Sequence, residues 1–284
     1  MKKQLNILII MFLFVLFFSL NNSYAGILFQ DDFESDSSSW SCGSGQLSKW
    51  SAGYMSCGNS AGFGDEFKMG PGHNGNNAVY AWKSSSIPNG YRTESERWFS
   101  GAELSKEIYH RWYMKMPNNF DKQIAEGFKF WRYLTRENGY SNPPELYLNA
   151  RGGTLGTGNL TIYNVATGYK DLMPISSFND GAWHSHELRI KLNSDGQSDG
   201  ILQYWLDGVL KTSYTNLSFG SATNMKIHRL GVGIGNVSDS PWFMSNWTAV
   251  AYDDVVVSTA YVGPTAGTAP ATLKAPTNLR ILNK

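Results

Sequence analysis

The stretch that decides the fold is Ile108-Tyr109-His110-Arg111-Trp112-Tyr113-Met114-Lys115-Met116. Read at period two, one face carries Ile108, His110, Trp112, Met114 and Met116, and the other Tyr109, Arg111, Tyr113 and Lys115. The first set suits a core and the second does not. The same alternation recurs over 128–134, where it sets Phe128, Phe130, Arg132 and Leu134 against Lys129, Trp131 and Tyr133. Over 145–151 it sets Leu146, Leu148 and Ala150 against Glu145, Tyr147, Asn149 and Arg151. Further runs at 160–165, 183–192, 201–206, 227–234 and 250–257 are strand-like, with Gly, Asn, Asp and Ser clusters between them. No segment after the N-terminal leader sustains a 3.6-residue period with caps. Eight or more strands without helical interludes predict an all-β protein, an antiparallel β-sandwich of the jelly-roll kind, as one domain over 26–263.

Composition narrows the function. The 284 residues hold 24 Lys+Arg against 23 Asp+Glu, which leaves no basic surplus for a nucleic-acid backbone. The 10 Trp, 15 Tyr and 15 Phe exclude low-complexity disorder. Lys2 and Lys3 precede an apolar run over 7–20, and Asn21-Asn22-Ser23-Tyr24-Ala25 supplies small residues for cleavage. Residues 1–25 therefore read as a secretory signal, being too short for the ~20 apolar residues that span a bilayer. A soluble monomer, secreted or periplasmic, without membrane contact after cleavage, is expected. In an oxidising compartment Cys42 and Cys57 can pair, closing a short loop for about 3 kcal/mol. Residues 264–284, rich in Pro, Ala and Thr, are composed like a linker tail.

The polar faces suggest the ligand. If the strands at 108–116, 128–134 and 145–151 are neighbours, Tyr109, Arg111, Tyr113, Lys115, Lys129, Trp131, Tyr133, Tyr147, Asn149 and Arg151 form one wall. Ring faces stack on sugar C–H surfaces, and Arg, Lys and Asn reach hydroxyls and carboxylates. The expected partner is an extended acidic polysaccharide; the alternative is an aromatic face covered by loops. In the preceding stretch Arg92, Glu94 and Glu96 alternate onto one face, where an ion-pair network is preferred over a pair of catalytic carboxylates.

The hairpin from Trp183-His184 through Asn193-Ser194-Asp195-Gly196 to Ile201-Leu202-Gln203-Tyr204-Trp205-Leu206-Asp207-Gly208 resembles that of concanavalin A-like lectin/glucanase sandwiches. With Phe29-Gln30-Asp31-Asp32-Phe33-Glu34 and Tyr252-Asp253-Asp254-Val255-Val256-Val257, the pattern is similar to secreted jelly-roll polysaccharide lyases of the alginate, glucuronan and heparin lyase type. That resemblance implies β-elimination across a uronic acid: a cation or amide neutralises the carboxylate, a base takes the C5 proton, and an acid protonates the leaving oxygen. Arg92-Thr93-Glu94 resembles the Arg-(Ser/Thr)-Glu strand of alginate lyases, giving Arg92 a carboxylate-binding role. His228-Arg229-Leu230-Gly231-Val232-Gly233 resembles their penultimate Tyr-Phe-Lys-Ala-Gly-x-Tyr strand, with Arg229 at the Lys position. Gly233 stands where that family has its catalytic Tyr, and no Gln-x-His strand is present. The base then falls to Tyr109, Tyr113, Tyr133, Tyr147 or the loop residue His73. The resemblance also implies a structural Ca2+ held by Asp32, Glu34 and Asp254, which are otherwise ordinary turn acids. A non-catalytic carbohydrate-binding protein and a glycoside hydrolase are the alternative functions.

Overall fold

The computed structural model describes residues 26–36, 47–55, 66–75, 77–82, 93–118, 128–136, 145–151, 158–220, 226–235 and 249–265; within these, nothing is said of the side chains at 52–55, 66–68, 81–82, 93–94, 128, 136, 228–229, 231–235 and 249. The signal segment 1–25, Arg92, Cys42, Cys57 and the tail beyond Thr265 lie outside the described residues.

Two antiparallel sheets face each other. The first contains, in spatial order, β13 (Val209–Leu217), β12 (Gly200–Leu206), β11 (Trp183–Lys191), β6 (Glu107–Lys115), β15 (Ala249–Ser258), β4 (Ala78–Trp82) and β3 (Glu66–Gly70), with β1 (Ile27–Asp31) also paired to β15. The second runs β10 (Gly168–Pro174), β9 (Asn159–Asn164), β8 (Glu145–Arg151), β7 (Phe128–Arg136), β14 (Lys226–Gly235), β5 (Thr93–Trp98) and β2 (Ala52–Met55). Single 3-10 turns at Gly101–Glu103 and Ile175–Ser177 complete the elements described.

The alternation read from the sequence explains the burial. Ile108, His110, Trp112, Met114 and Met116 lie inside against Trp131, Leu146, Leu148, Ala150, Leu188 and Leu202. Trp112 of the first sheet meets Trp131 of the second at 5.4 Å between ring centroids. Two polar pairs lie in this apolar interior, the first between the sheets and the second within the first sheet. His110 Nδ1 lies 2.8 Å from the Tyr133 hydroxyl and His186 Nδ1 2.6 Å from the Tyr204 hydroxyl, so each ring has one nitrogen partnered, while each Nε2 is buried without a hydrogen-bond partner among the described residues. The β12–β13 turn follows the Asp-Gly signal. Leu206 pairs Val209, and Asp207 (φ 50) and Gly208 (φ 75) both take the left-handed conformation that a two-residue hairpin of this twist demands.

Two expectations change. The strand at 107–115 is not a neighbour of the next two, because β6 pairs β11 and β15 in the first sheet while β7 and β8 pair each other in the second. In addition, β7 carries a bulge. Lys129 pairs Asn149 but Trp131 pairs Leu148, so two steps along β7 match one along β8 and Phe130 is the extra residue. Beyond the bulge the faces exchange: Trp131, Tyr133 and Thr135 enter the core, and Arg132 emerges on the polar face.

Candidate functional site

The outer face of the second sheet is built by register. Strand pairing lines up Glu96, Gly231, Arg132, Tyr147, Tyr163 and Tyr169 in one row across β5, β14, β7, β8, β9 and β10. A neighbouring row places Lys129 beside Asn149, and Asn149 beside Thr161. Gly231 has no side chain between Glu96 and Arg132, and Arg132 Nη1 reaches to 3.7 Å from Glu96 Oε1 across it. Its Nη2 donates to Glu145 Oε1 at 2.7 Å. Trp98 Nε1 donates to Glu96 Oε2 at 2.9 Å, so the fully buried Glu96 carboxylate has both a cation and a neutral donor. A charged network forms at Glu96 through Arg132, while Arg92 and the Glu94 side chain, expected to share it, lie outside the description; strict alternation hides Arg132, and the adjacent Phe130-Trp131 pair, two bulky rings in succession, was the available sign of the bulge.

Tyr147 stands at the centre of this row. Lys129 Nζ lies 3.9 Å from its ring centroid and the Arg132 guanidinium carbon 5.8 Å. Asn149, 2% exposed, lies beside them, and its Oδ1 has no hydrogen-bond partner among the described residues. The two cations can hold an anion beside a phenol able to exchange a proton with it, and the Asn149 oxygen can accept from a hydroxyl of the same ligand. Arg151 is exposed, with its guanidinium carbon 4.1 Å from the Tyr169 ring centroid. Tyr163 and Tyr169 escaped the sequence reading, although Ile162 inward implies Tyr163 outward. Arg229 lies in β14 between Trp98 and Leu134, with its side chain outside the description.

The remaining candidates sit elsewhere. Tyr133 and Trp131 are core residues, turned inward by the bulge; burial pushes the Tyr133 phenol well above its ordinary range and holds its partner His110 well below. Neither is a groove residue. Tyr109, Arg111, Tyr113 and Lys115 do face away from the core, but on the first sheet, the opposite side of the sandwich from Tyr147. Tyr113 is 1% exposed and stacks on His73 at 3.7 Å, its hydroxyl accepting the Thr265 N–H at 2.9 Å. His73 faces Asp254 Oδ2 at 3.3 Å. Over this face residues 262–263 are tied down: Glu187 accepts the Val262 and Gly263 N–H groups at 2.8 Å each. Burial pushes the Glu187 carboxyl up to about 7. Asp253 rises to about 7 through burial first, then the nearby Asp254 and Glu34 charges.

Each of the three acids expected to hold calcium has a protein partner on one oxygen. Asp32 Oδ1 faces Lys49 Nζ at 3.2 Å, Glu34 Oε1 accepts the Asn77 N–H at 2.9 Å, and Asp254 Oδ2 accepts from Asn74 Nδ2 at 3.2 Å. Their oxygens serve these loops, and among the described residues no three His, Cys, Asp or Glu side chains are placed to hold a metal ion.

A family model described as polysaccharide lyase matches residues 42–234, most of both sheets. The chain belongs to this polysaccharide lyase family. Its fold is similar to an endo-β-1,4-glucuronan lyase from the fungus Trichoderma reesei, with a TM-score of 0.56 and 15% identity over 83% of this chain and 96% of that one. It is also similar to a double mutant of the alginate lyase Aly36B in complex with an alginate tetrasaccharide, with a TM-score of 0.50 and 13% identity over 66% of this chain and 82% of that one. At such identities the likeness shows a shared fold. No curated protein sequence matches the chain. The family thus supplies the class of reaction, lyase action on a polysaccharide.

Proposed function

We propose that the protein cleaves a uronic-acid-containing polysaccharide by β-elimination on the outer face of the second sheet. The observation that carries this reading is Tyr147 beside Lys129 at 3.9 Å and Arg132 at 5.8 Å, on the face away from the core. The C5 proton of a uronate is weakly acidic, and elimination needs the carboxylate's growing enolate charge to be stabilised. Arg132 and Lys129 supply that positive charge, and Asn149 adds an amide. Tyr147, as phenolate, takes the C5 proton; the C5–H electron pair forms the C4=C5 double bond as the C4–O bond breaks. The leaving oxygen takes a proton, which the newly formed Tyr147 phenol can return. The glucuronan and alginate lyases of like fold act on uronate polymers, which supports this substrate class.

A second reading has one observation behind it. Gly233, paired with Glu94, leaves β14 without a phenol where the resembled family has one, which favours binding without cleavage. The mature protein incubated with glucuronan, alginate and heparin separates the two through the ultraviolet absorbance of the unsaturated uronate. A rise on at least one polymer is expected; binding to a polymer with no rise on any of them overturns the lyase reading.

A further inference from the structure

We propose that Arg151, Tyr163 and Tyr169 form a separate subsite at the β9–β10 edge of the second sheet, which holds the carboxylate of a sugar remote from the bond being cleaved. The inference rests on the uronate-polymer reading and extends it to the length of chain engaged.

Arg151 differs from three other described arginines in lacking a paired acid, and from Arg111, which is 4% exposed, in being open to solvent. Arg97, Arg132 and Arg189 each have a carboxylate oxygen within 2.7 Å. Arg151 has no ion pair among the described residues, yet it is not loose: its guanidinium lies 4.1 Å from the Tyr169 ring centroid. Tyr169 in turn contacts Tyr163 at 4.6 Å with 41° between the ring planes, and Tyr169 remains 41% exposed. A guanidinium seated on a ring keeps its N–H fork in its own plane, directed outward, which is the arrangement a carboxylate meets with two parallel hydrogen bonds. The two phenol rings beside it offer C–H stacking to a sugar. Beneath them Thr161 is fully buried, so the cluster stands on a packed floor. The Arg151 guanidinium rests on Tyr169, which lies two strands across the row from Tyr147, ~10 Å at the backbone, so a sugar at this edge is not the one losing its proton.

The test compares wild type with Arg151→Met and Tyr169→Ala on uronate oligomers of increasing length. For the wild type, kcat/KM should climb with length until the edge is reached. Both variants should match it on the shortest cleaved oligomer and fall ten- to a hundredfold below it on long ones, as expected for loss of a charged hydrogen-bonded contact. An equal deficit at every length, or none at any length, overturns the subsite. Affinity electrophoresis in polyuronate gels gives a readout independent of cleavage. If the wild type binds without cleaving, the lyase reading fails alone, and Arg151→Met, with each mobility taken relative to a polymer-free gel to remove the change of one charge, should still be retarded less than wild type in these gels and no differently in a neutral glucan gel. Equal relative retardation in the polyuronate gels, or wild type unretarded by any polyuronate, overturns the subsite.

Discussion

Replacing Arg132 by Met separates two roles that the structure assigns to one side chain. Arg132 pairs with Glu145 at 2.7 Å, with the two side chains 19% and 27% exposed, and such a pair contributes about 0.5–1 kcal/mol. It also lies 3.7 Å from Glu96, whose side chain is wholly buried. Removing one partner of a buried pair costs ~3–5 kcal/mol; the longer distance and the retained Trp98 donor point to the lower end. Arg132→Met should therefore lower unfolding free energy by about 3–4 kcal/mol, read by urea denaturation. If Arg132 also neutralises the substrate carboxylate, kcat/KM should fall ~10²–10³-fold. Adding Glu96→Gln removes the stranded charge. The double variant should regain most of the lost stability, about 2–3 kcal/mol, and none of the rate. Recovery of both together would show that Arg132 acts only through the fold, and an unchanged urea midpoint in the single variant would refute the buried pairing itself.

Tyr147→Phe removes the proposed base and should reduce cleavage ~10²–10⁴-fold while leaving unfolding within about 0.5 kcal/mol; a wild-type rate would move the base elsewhere. Glu187 carries a folded-state value of about 7 against an ordinary 4.5. Its contribution is complete below pH 4.5 and fades as pH rises through 7, a span of about 3 kcal/mol that Glu187→Gln should flatten in urea titrations at stepped pH. His186 behaves oppositely, since burial holds it at about 3 against 6.5. Its share of stability is present above 6.5 and declines on acidification, by about 2 kcal/mol at pH 5; the difference between wild type and His186→Asn should shrink by that amount from pH 7.5 to pH 5, and a constant difference would contradict a neutral buried ring.

Local periodicity made much of this fold legible, and long-range pairing hid the rest. The inward set of β6 and the whole of β8 follow from parity, because a regular strand alternates without exception. In β7 the rule fails at Phe130, where one unpaired residue exchanges the faces of everything after it; this turns Trp131 and Tyr133 from candidate sugar contacts into core and Arg132 from core into site. Sheet membership was equally hidden. Nothing within 107–115 states that its neighbours are β11 and β15, because that choice is made by residues far along the chain.

The two outer faces show why composition alone could not choose between them. Both carry Tyr and Arg at alternate positions, so both looked fit for sugar. On the first sheet most of these groups are already spent: the Tyr113 hydroxyl accepts from the Thr265 backbone, Glu187 takes two backbone N–H groups, and Arg189 pairs with Glu107, whereas Arg111 keeps its Nε and Nη1 without a hydrogen-bond partner among the described residues, enclosed at 4% exposure. On the second sheet no described residue hydrogen-bonds the Tyr147 or Tyr163 hydroxyl, Asn149 Oδ1 has no described partner, and Arg151 has a ring beneath it but no acid beside it. A ligand must replace the hydrogen bonds that water gives a polar group, and it does so at least cost where the protein has left the group's capacity open. Unspent capacity on exposed or half-buried groups, rather than residue type, is therefore the reason the proposed site is drawn through Tyr147.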